Sequence, residues 1–216
     1  MFTKSAKFAL PVLLVTPFYS WGFSYETPSI SPESESGYEE KPGWEAESFA
    51  VAAANPLATD AGYQVLKAGG NAIDAAIAVQ MVLNLVEPQS SGIGGGAFLM
   101  HYDGSEVRAY DGRETAPQGV NGELFLQSGE PLAFNDAVVS GLSVGVPGTL
   151  RMLEKAHAEH GELAWEELFT PAITLAEEGF AVSNRLHTSL TSDEFLRQDP
   201  LASQFYYDSE GEAIAV

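Results

Sequence analysis

The sequence of this chain predicts a mixed α/β fold, because helical patterns and strand patterns both follow residue 49. Two helix patterns come first, and each begins with an asparagine. A glycine-rich stretch then precedes two short strands that an Asp-Gly turn connects, and more helix patterns follow. With 216 residues and 45% hydrophobic side chains, the chain is long enough to bury one sizeable core.

The first helix is predicted to begin at Asn55 and Pro56, since asparagine is a favoured N-cap and proline is tolerated in the first turn. It continues to Ala68, where Gly69 and Gly70 end it. The spacing of the apolar residues predicts one buried face, made of Leu57, Ala61, Val65 and Leu66.

The second helix is predicted to begin after Asn71, with Asp74 placed three residues later as in a capping box. Its apolar residues recur at helical spacing: Ile73, Ile77, Met81 and Leu85. The many small residues in both helices favour close packing between them.

A glycine run at residues 92–96 precedes a predicted strand at residues 97–101. Glycine allows a sharp turn or a close approach of two backbone segments. A phosphate-binding loop is the alternative, but the lysine and Ser/Thr of a P-loop are missing and no helix pattern follows the run. Asp103 and Gly104 predict a hairpin turn, and the returning strand ends just before Arg113.

Three further helical segments are predicted after the hairpin. Pro147 and Gly148 begin a helix that runs to His160, and residues 165–169 form a short turn of helix. Pro171 begins another helix that ends at Gly179, with an inward face made of Ile173, Leu175 and Ala176. Residues 205–216 are interpreted as a strand or a turn.

The N-terminal 48 residues divide into two predicted segments. Residues 1–24 resemble an export signal, since Lys4 and Lys7 precede an apolar run at residues 8–15 and small residues at 22–24. An uncleaved membrane anchor is the alternative, although the apolar run is shorter than the ~20 residues that span a bilayer. Residues 25–48 are rich in proline, serine and glutamate and predict an acidic disordered linker before the folded domain at residues 49–216.

The composition excludes some classes of function. A formal net charge of −20 and a pI near 4.3 argue against nucleic-acid binding, because there is no basic stripe to replace phosphate counterions. Without cysteine the chain has no disulfide framework and no thiolate metal site. His157 and His160 lie three residues apart at a predicted helix end, which favours a surface position or an interaction with the helix dipole over a metal site. We expect no metal and no cofactor.

Arg113 is the residue whose chemistry points most directly to a ligand. A guanidinium at a strand end, with glycine before it, is suited to gripping a carboxylate through two parallel hydrogen bonds. The alternative is an exposed ion pair with Glu114 or Asp111, worth ~1 kcal/mol or less. The residues alone leave both interpretations open.

Several motifs in fixed order make residues 49–216 resemble the gamma-glutamyltransferase family. They are residues 54–59 (Ala-Asn-Pro-Leu-Ala-Thr), residues 67–76 (Lys-Ala-Gly-Gly-Asn-Ala-Ile-Asp-Ala-Ala), residues 86–96 (Val-Glu-Pro-Gln-Ser-Ser-Gly-Ile-Gly-Gly-Gly), and residues 111–117, 140–149 and 171–180. Long motifs in order are far more specific than a single glycine pattern.

The resemblance implies an N-terminal-nucleophile hydrolase with a four-layer αββα sandwich, made as a precursor that cuts itself into a large and a small subunit. The chain would be the N-terminal part of the large subunit. The nucleophile would be the terminal threonine of the small subunit, and its motif does not occur in these 216 residues. No catalytic residue is therefore expected in this chain, and none of its own threonines is a free amino terminus.

The resemblance also implies the substrate and one site residue. Arg113 matches the arginine that binds the alpha-carboxylate of the gamma-glutamyl group. Glu114 orients that guanidinium, helps to close the pocket or stabilises the turn. The implied reaction is gamma-glutamyl transfer or hydrolysis on glutathione and related compounds, with an amino acid, a peptide or water as acceptor. Alternatives are a glutaryl-cephalosporin acylase of the same family and a non-catalytic scaffold. Export would place the protein in the periplasm, at the cell surface or in the medium.

Overall fold

The computed structural model describes residue 43 and residues 45–216. The predicted export signal at residues 1–24 and most of the predicted linker lie outside the described residues. The described end of that linker, residues 43 and 45–48, is exposed. Across the described residues, every helix is too short or too polar to cross a bilayer.

Helix α1, Pro56–Lys67, begins as predicted and ends one residue before the predicted Ala68, which is its C-cap residue. The Asn55 side chain accepts a hydrogen bond from the backbone N–H of Leu57 at 3.0 Å. Gly69 adopts a φ of 97°, a conformation that favours glycine after a helix end. The most buried residues of the helix are Ala58, Ala61, Gly62 and Val65, whereas Leu57 and Leu66 are half-buried.

Helix α2, Ala72–Val86, packs along α1 and is buried on most of its surface. The predicted capping box is present: the Asn71 side chain accepts from the Asp74 N–H at 3.2 Å, and the Asp74 carboxylate accepts from the Asn71 N–H at 2.9 Å. The predicted stripe is buried except for the half-buried Leu85. Ile77 and Val82 are completely buried, so α2 is the central element of the core.

Strands β1, Ala97–Tyr102, and β2, Val107–Gly112, form the predicted antiparallel hairpin. Leu99 pairs with Tyr110 on the face that packs against the core. The opposite face is bare, since Phe98 is 68% exposed and Met100 is 75% exposed. The hairpin therefore has a covered face and an uncovered apolar face.

The segment after the hairpin contains short elements and then the helix that covers it. Strands β3, Leu126–Gln127, and β4, Glu130–Pro131, form a small ladder, and helix α3, Phe134–Val138, follows. Helix α4, Thr149–His160, ends before Gly161 as predicted and contacts both strands of the hairpin. Met152, Leu153 and Ala156 carry its buried face.

A 3₁₀ helix at Trp165–Phe169 leads into helix α5, Thr170–Glu178, as predicted. The predicted inward face of α5 is wrong in part, because Ile173 is 52% exposed and Ala176 is also exposed. Leu175 and Ala172 make the core contacts instead. The helix lies on the two-helix layer of α1 and α2, and that layer determines which of its apolar residues are covered.

The C-terminal segment contains helix α6, Asn184–Ser192, and helix α7, Pro200–Tyr206. Interpreting residues 205–216 as a strand or turn is therefore wrong for Phe205 and Tyr206, which end α7. The Asp199 side chain accepts from the N–H groups of the first turn, and Pro200 begins the helix. Only Tyr207 and Ala213 form a bridge of strand type in this segment of the described chain.

Candidate functional site

Arg113 lies directly after β2, at the position that the sequence predicts. Its backbone N–H donates to the Asp111 carboxylate at 2.9 Å, which fixes the turn after the strand. The Arg113 side chain is 57% exposed, and its Nη1 atom lies 3.0 Å from Oε2 of Glu114. The ion pair with Glu114 therefore exists, but it engages one nitrogen of a group with five N–H donors. Within the described residues the remaining side-chain donors have no partner, so they can bind a carboxylate.

Two surface clefts meet at Arg113. The α4 cleft, about 550 Å³, is lined by Asp111, Arg113, Pro147, Arg151, Met152 and Lys155 among others. The loop cleft, about 490 Å³, is lined by Arg113, Glu114, Ala116, Phe125, Leu142 and Val144 among others. Arg113 lines both clefts, and its side chain is exposed to solvent.

The backbone around Arg113 is held by contacts between distant segments. Thr115 and Val146 exchange two hydrogen bonds, of 3.3 and 2.8 Å, in an antiparallel bridge. The carbonyl oxygen of Gly95 accepts from the N–H groups of Gly148 and Thr149 at 3.2 and 3.3 Å, and so caps the N-terminus of α4. The glycine run therefore approaches another backbone closely, as predicted.

Gly148 shows how close this approach is. A Cβ atom on Gly148 would lie 2.7 Å from the carbonyl carbon of Gly112 and 2.8 Å from the Arg113 oxygen. Neither distance leaves room for a methyl group, so α4 can begin directly against the end of β2 only because residue 148 is glycine.

The two histidines lie in the last turn of α4, as predicted, but they are half-buried and do not lie on the surface. Their side chains are 17% and 16% exposed. His157 Nε2 lies 2.9 Å from the Leu163 carbonyl oxygen and 3.6 Å from Oδ1 of the buried Asp74. The sequence missed this because the neighbours come from α2 and from the segment after α4. No group of three metal-ligating side chains occurs among the described residues.

His160 belongs to a polar cluster under the hairpin. The Tyr110 hydroxyl donates to Glu159 at 2.7 Å and lies 2.7 Å from Nε2 of His160. Burial, reinforced by the hydrogen bond to Glu159, raises the pKa of Tyr110. Hydrogen bonds from Lys155 and Tyr110 lower the pKa of Glu159. The cluster joins β2 to α4 and lies beside the α4 cleft.

Glu87 is a buried carboxylate that the sequence reasoning did not single out. Its side chain is 3% exposed and accepts from Asn55 Nδ2 at 3.2 Å and from Arg185 Nη1 at 2.9 Å. Gln89 also donates to it, at 2.6 Å. One carboxylate thus connects the start of α1, the loop after α2 and the start of α6. A charged residue ending an apolar helix is the signal that could have identified it.

Comparison with known proteins gives a consistent family. The family model described as Gamma-glutamyltranspeptidase matches residues 58–216. A glutathione hydrolase proenzyme of Bacillus subtilis (strain 168) is 47% identical over 144 residues, which are 65% of this chain and 24% of that protein. The chain therefore spans about a quarter of the length of this relative.

Two solved structures have a fold similar to that of this chain. The gamma-glutamyltranspeptidase of Helicobacter pylori superposes with a TM-score of 0.74 at 32% identity, covering 80% of this chain and 50% of that one. The cephalosporin acylase of Bacillus halodurans gives a TM-score of 0.63 at 28% identity, covering 85% and 35%. These superpositions confirm the predicted fold class.

Proposed function

This chain belongs to the gamma-glutamyltranspeptidase family, and from that premise we propose that the protein containing it transfers the gamma-glutamyl group of glutathione and related compounds. The acceptor is water in hydrolysis and an amino acid or peptide in transpeptidation. The observation that carries the proposal is the exposed guanidinium of Arg113 where two clefts meet.

Arg113 has the chemistry needed to select a donor of this class. A gamma-glutamyl group carries an alpha-carboxylate at the end opposite to the scissile amide. A guanidinium binds such a carboxylate through two parallel charge-assisted hydrogen bonds, which fix both its distance and its plane. Because the Arg113 backbone is tied to Asp111, the carboxylate would be held at one place relative to the strand end. Arg113 is thus a substrate-binding residue and takes no part in bond breaking.

The reacting groups are proposed to lie outside these 216 residues, in a small subunit released from the same precursor by self-cleavage. The hydroxyl of its terminal threonine attacks the gamma-carbonyl carbon, and its alpha-amine takes the hydroxyl proton. Backbone amides of that subunit stabilise the oxyanion, and the amine of the donor leaves with a proton. The acceptor then attacks the gamma-glutamyl ester and regenerates the threonine hydroxyl. The chain alone is therefore expected to be inactive.

The bare face of the hairpin supports the need for a second subunit. Phe98, Met100 and Tyr102 are each more than 60% exposed, and they form one apolar surface beside Val107. Such a surface favours burial against another layer. We propose that strands of the small subunit cover it and complete the four-layer sandwich.

A glutaryl-cephalosporin acylase activity is the second candidate, because the structure also superposes on a cephalosporin acylase. A glutaryl group has a carboxylate at the same distance from the acyl carbon as a gamma-glutamyl group, but it lacks the alpha-amine. Arg113 could serve either donor. The two candidates therefore differ in whether the protein requires the amine.

We also propose that the protein is exported, with residues 1–24 as a signal or an uncleaved anchor. The support is the order of Lys4 and Lys7, an apolar run and small residues in the sequence. N-terminal sequencing of the protein recovered from membrane and soluble extracytoplasmic fractions tests this. A start after residue 24 indicates a cleaved signal, and retention in cytoplasm contradicts export.

The experiment that tests the proposed activity uses the complete protein and a gamma-glutamyl anilide that releases a coloured amine. We expect Arg113→Ala to lower kcat/KM, mainly by raising KM. The loss should correspond to ~2 to 4 kcal/mol of transition-state stabilisation. Arg113→Lys should be more efficient than Arg113→Ala but less efficient than the unsubstituted protein, since lysine cannot form the paired hydrogen bonds. Arg108→Ala is the matched control, because Arg108 lies on the same strand in an exposed pair with Glu106.

The same assay with a glutaryl anilide separates the two enzymatic candidates. Faster release from the gamma-glutamyl anilide supports gamma-glutamyl transfer, whereas faster release from the glutaryl anilide supports the acylase. Release from neither donor by a correctly processed protein would indicate a non-catalytic scaffold. An Arg113→Ala variant with unchanged efficiency would contradict the role of Arg113.

A further inference from the structure

The side chain of Glu114 lies in a narrow space between Gly96 and Gly145, which we call the Glu114 slot. A Cβ atom on Gly145 would lie 2.8 Å from Cβ of Glu114 and 3.2 Å from the Thr115 carbonyl oxygen. A Cβ atom on Gly96 would collide with Oε2 of Glu114 and lie 2.7 Å from its backbone nitrogen. Neither glycine can gain a methyl group unless Glu114 moves.

Both walls of the slot are anchored in the fold. Gly145 precedes Val146, which bridges Thr115 through two hydrogen bonds. Gly96 follows Gly95, whose carbonyl oxygen caps α4. The slot is therefore part of the same backbone arrangement that positions the end of β2.

The Glu114 carboxylate makes a contact that does not stabilise a turn. Its Oε2 atom is buried and accepts no hydrogen bond within the described residues, but it lies 3.0 Å from Nη1 of Arg113. The turn is stabilised by Asp111 instead, whose carboxylate accepts the Arg113 N–H. The two carboxylates thus have different roles, Asp111 toward the backbone and Glu114 toward the guanidinium.

A fixed anion restricts a flexible cation. The Arg113 side chain is 57% exposed and would otherwise sample many rotamers. The contact between Nη1 and Glu114 Oε2 restricts the positions that the guanidinium can take and leaves most of the side chain exposed. Such preorganisation lowers the entropy lost when a carboxylate ligand binds.

We propose that Gly96, Glu114 and Gly145 are positioning residues that orient the Arg113 guanidinium toward the carboxylate of the donor. The inference rests on the proposed function and adds three residues to it. Glu114 acts through Arg113 and does not touch the donor, while the two glycines act through Glu114.

The test compares two anilide donors on the complete protein. One carries a gamma-glutamyl group, and the other carries a 4-aminobutyryl group, which lacks only the alpha-carboxylate. If Glu114 acts through the Arg113–carboxylate contact, Glu114→Gln should lower kcat/KM for the gamma-glutamyl anilide by about tenfold, mostly in KM. It should leave kcat/KM for the 4-aminobutyryl anilide nearly unchanged. Glu114→Asp, which keeps the charge, should recover part of the loss.

Gly145→Ala should also lower the ratio of efficiencies, which is kcat/KM for the gamma-glutamyl anilide divided by kcat/KM for the 4-aminobutyryl anilide. Its matched control is Gly141→Ala, because a Cβ atom on Gly141 would have no neighbour within 4 Å among the described residues. If Gly145→Ala does not fold, Glu114→Gln still decides the matter, since it adds no bulk to the slot. An equal loss for both donors would indicate a structural role, and no loss for either would show that Arg113 needs no partner; both results overturn the inference.

Failure of the proposed function would be visible before any variant is made. If the unsubstituted protein releases amine from no gamma-glutamyl donor, that result contradicts both the proposed function and this inference. If it is active and the ratio of efficiencies is the same in Glu114→Gln, only the inference falls.

Discussion

The hydroxyl of Thr149 donates a 3.0 Å hydrogen bond to the carbonyl oxygen of Gly95, and so joins the first residue of α4 to the glycine run. Thr149 is 2% exposed, and its backbone N–H donates to the same oxygen. Gly148, the N-cap residue, has no side chain to cap the helix. The cap is supplied from the glycine run, so the start of α4 and the strand end that carries Arg113 are held together.

Replacing Thr149 by valine tests this connection. Valine has a similar shape but no hydroxyl, so we expect the free energy of unfolding to fall by about 1 kcal/mol. Thermal and denaturant unfolding of the complete protein measure the change. Thr149→Ser keeps the hydroxyl and is the control for the hydrogen bond. A valine variant as stable as the unsubstituted protein would show that the hydroxyl adds nothing to the backbone cap.

Replacing Arg185 by methionine should lower stability by about 2 kcal/mol, because it removes a charged partner from the buried Glu87 carboxylate. Arg151→Met is the matched control, since Arg151 is 83% exposed and its partner Glu154 is 56% exposed. The measurement is the shift of unfolding midpoint for each variant. Similar shifts in the two variants would mean that the burial of Glu87 does not strengthen its ion pair.

The contribution of Glu159 to the stability of the folded protein should depend on pH. Hydrogen bonds from Lys155 and Tyr110 hold the pKa of Glu159 below its ordinary value of 4.5. The unfolded chain therefore takes up this proton first as the pH falls, and the stabilisation is present above pH 4.5 and is lost through the lower, folded pKa. The difference in Tm between the unsubstituted protein and Glu159→Gln should shrink in that acid range. A difference that is constant with pH would contradict the ionised role.

A polar substitution should have a different effect on each face of β1 in the 216-residue chain expressed alone. On the exposed face it should reduce self-association, and on the buried face it should lower stability. We expect this chain to self-associate and to bind a hydrophobic dye through Phe98 and Met100. Met100→Ser should reduce both effects, whereas Leu99→Ser should lower stability because Leu99 packs against the core. Gel filtration and dye fluorescence measure the outcome. Equal behaviour of the two variants would contradict the assigned faces.

Much of the fold could be predicted because its signals are local. Asn55 and Asn71 cap helices through neighbours two or three residues away, so their sequence context is sufficient. The hairpin turn is local in the same way, since the Asp103 side chain accepts from the N–H groups of Ser105 and Glu106. The position of Arg113 after β2 follows from these elements.

The features that were missed depend on residues far apart in the chain. The burial of His160 depends on Tyr110, and the ion pair of Glu87 depends on Arg185. The prediction that Ile173 is buried was wrong, because the packing of α5 on α1 and α2 determines which residues of α5 are covered. The role of Glu114 stayed open for the same reason, since Gly96 and Gly145 approach it only in the folded protein. Sequence patterns carry no information on such distances.

The Glu114 slot has a consequence for how tolerance to mutation should be distributed along this chain. Its walls are made by residues that carry no functional group, so chemical labelling or pH profiles would report nothing at Gly96 or Gly145. A saturation library would nevertheless find these two positions among the least permissive. In a directed-evolution campaign for new donors, variation would be better placed at Gly94 and Gly141, where a Cβ atom meets no neighbour within 4 Å in the part of the chain that the structure describes.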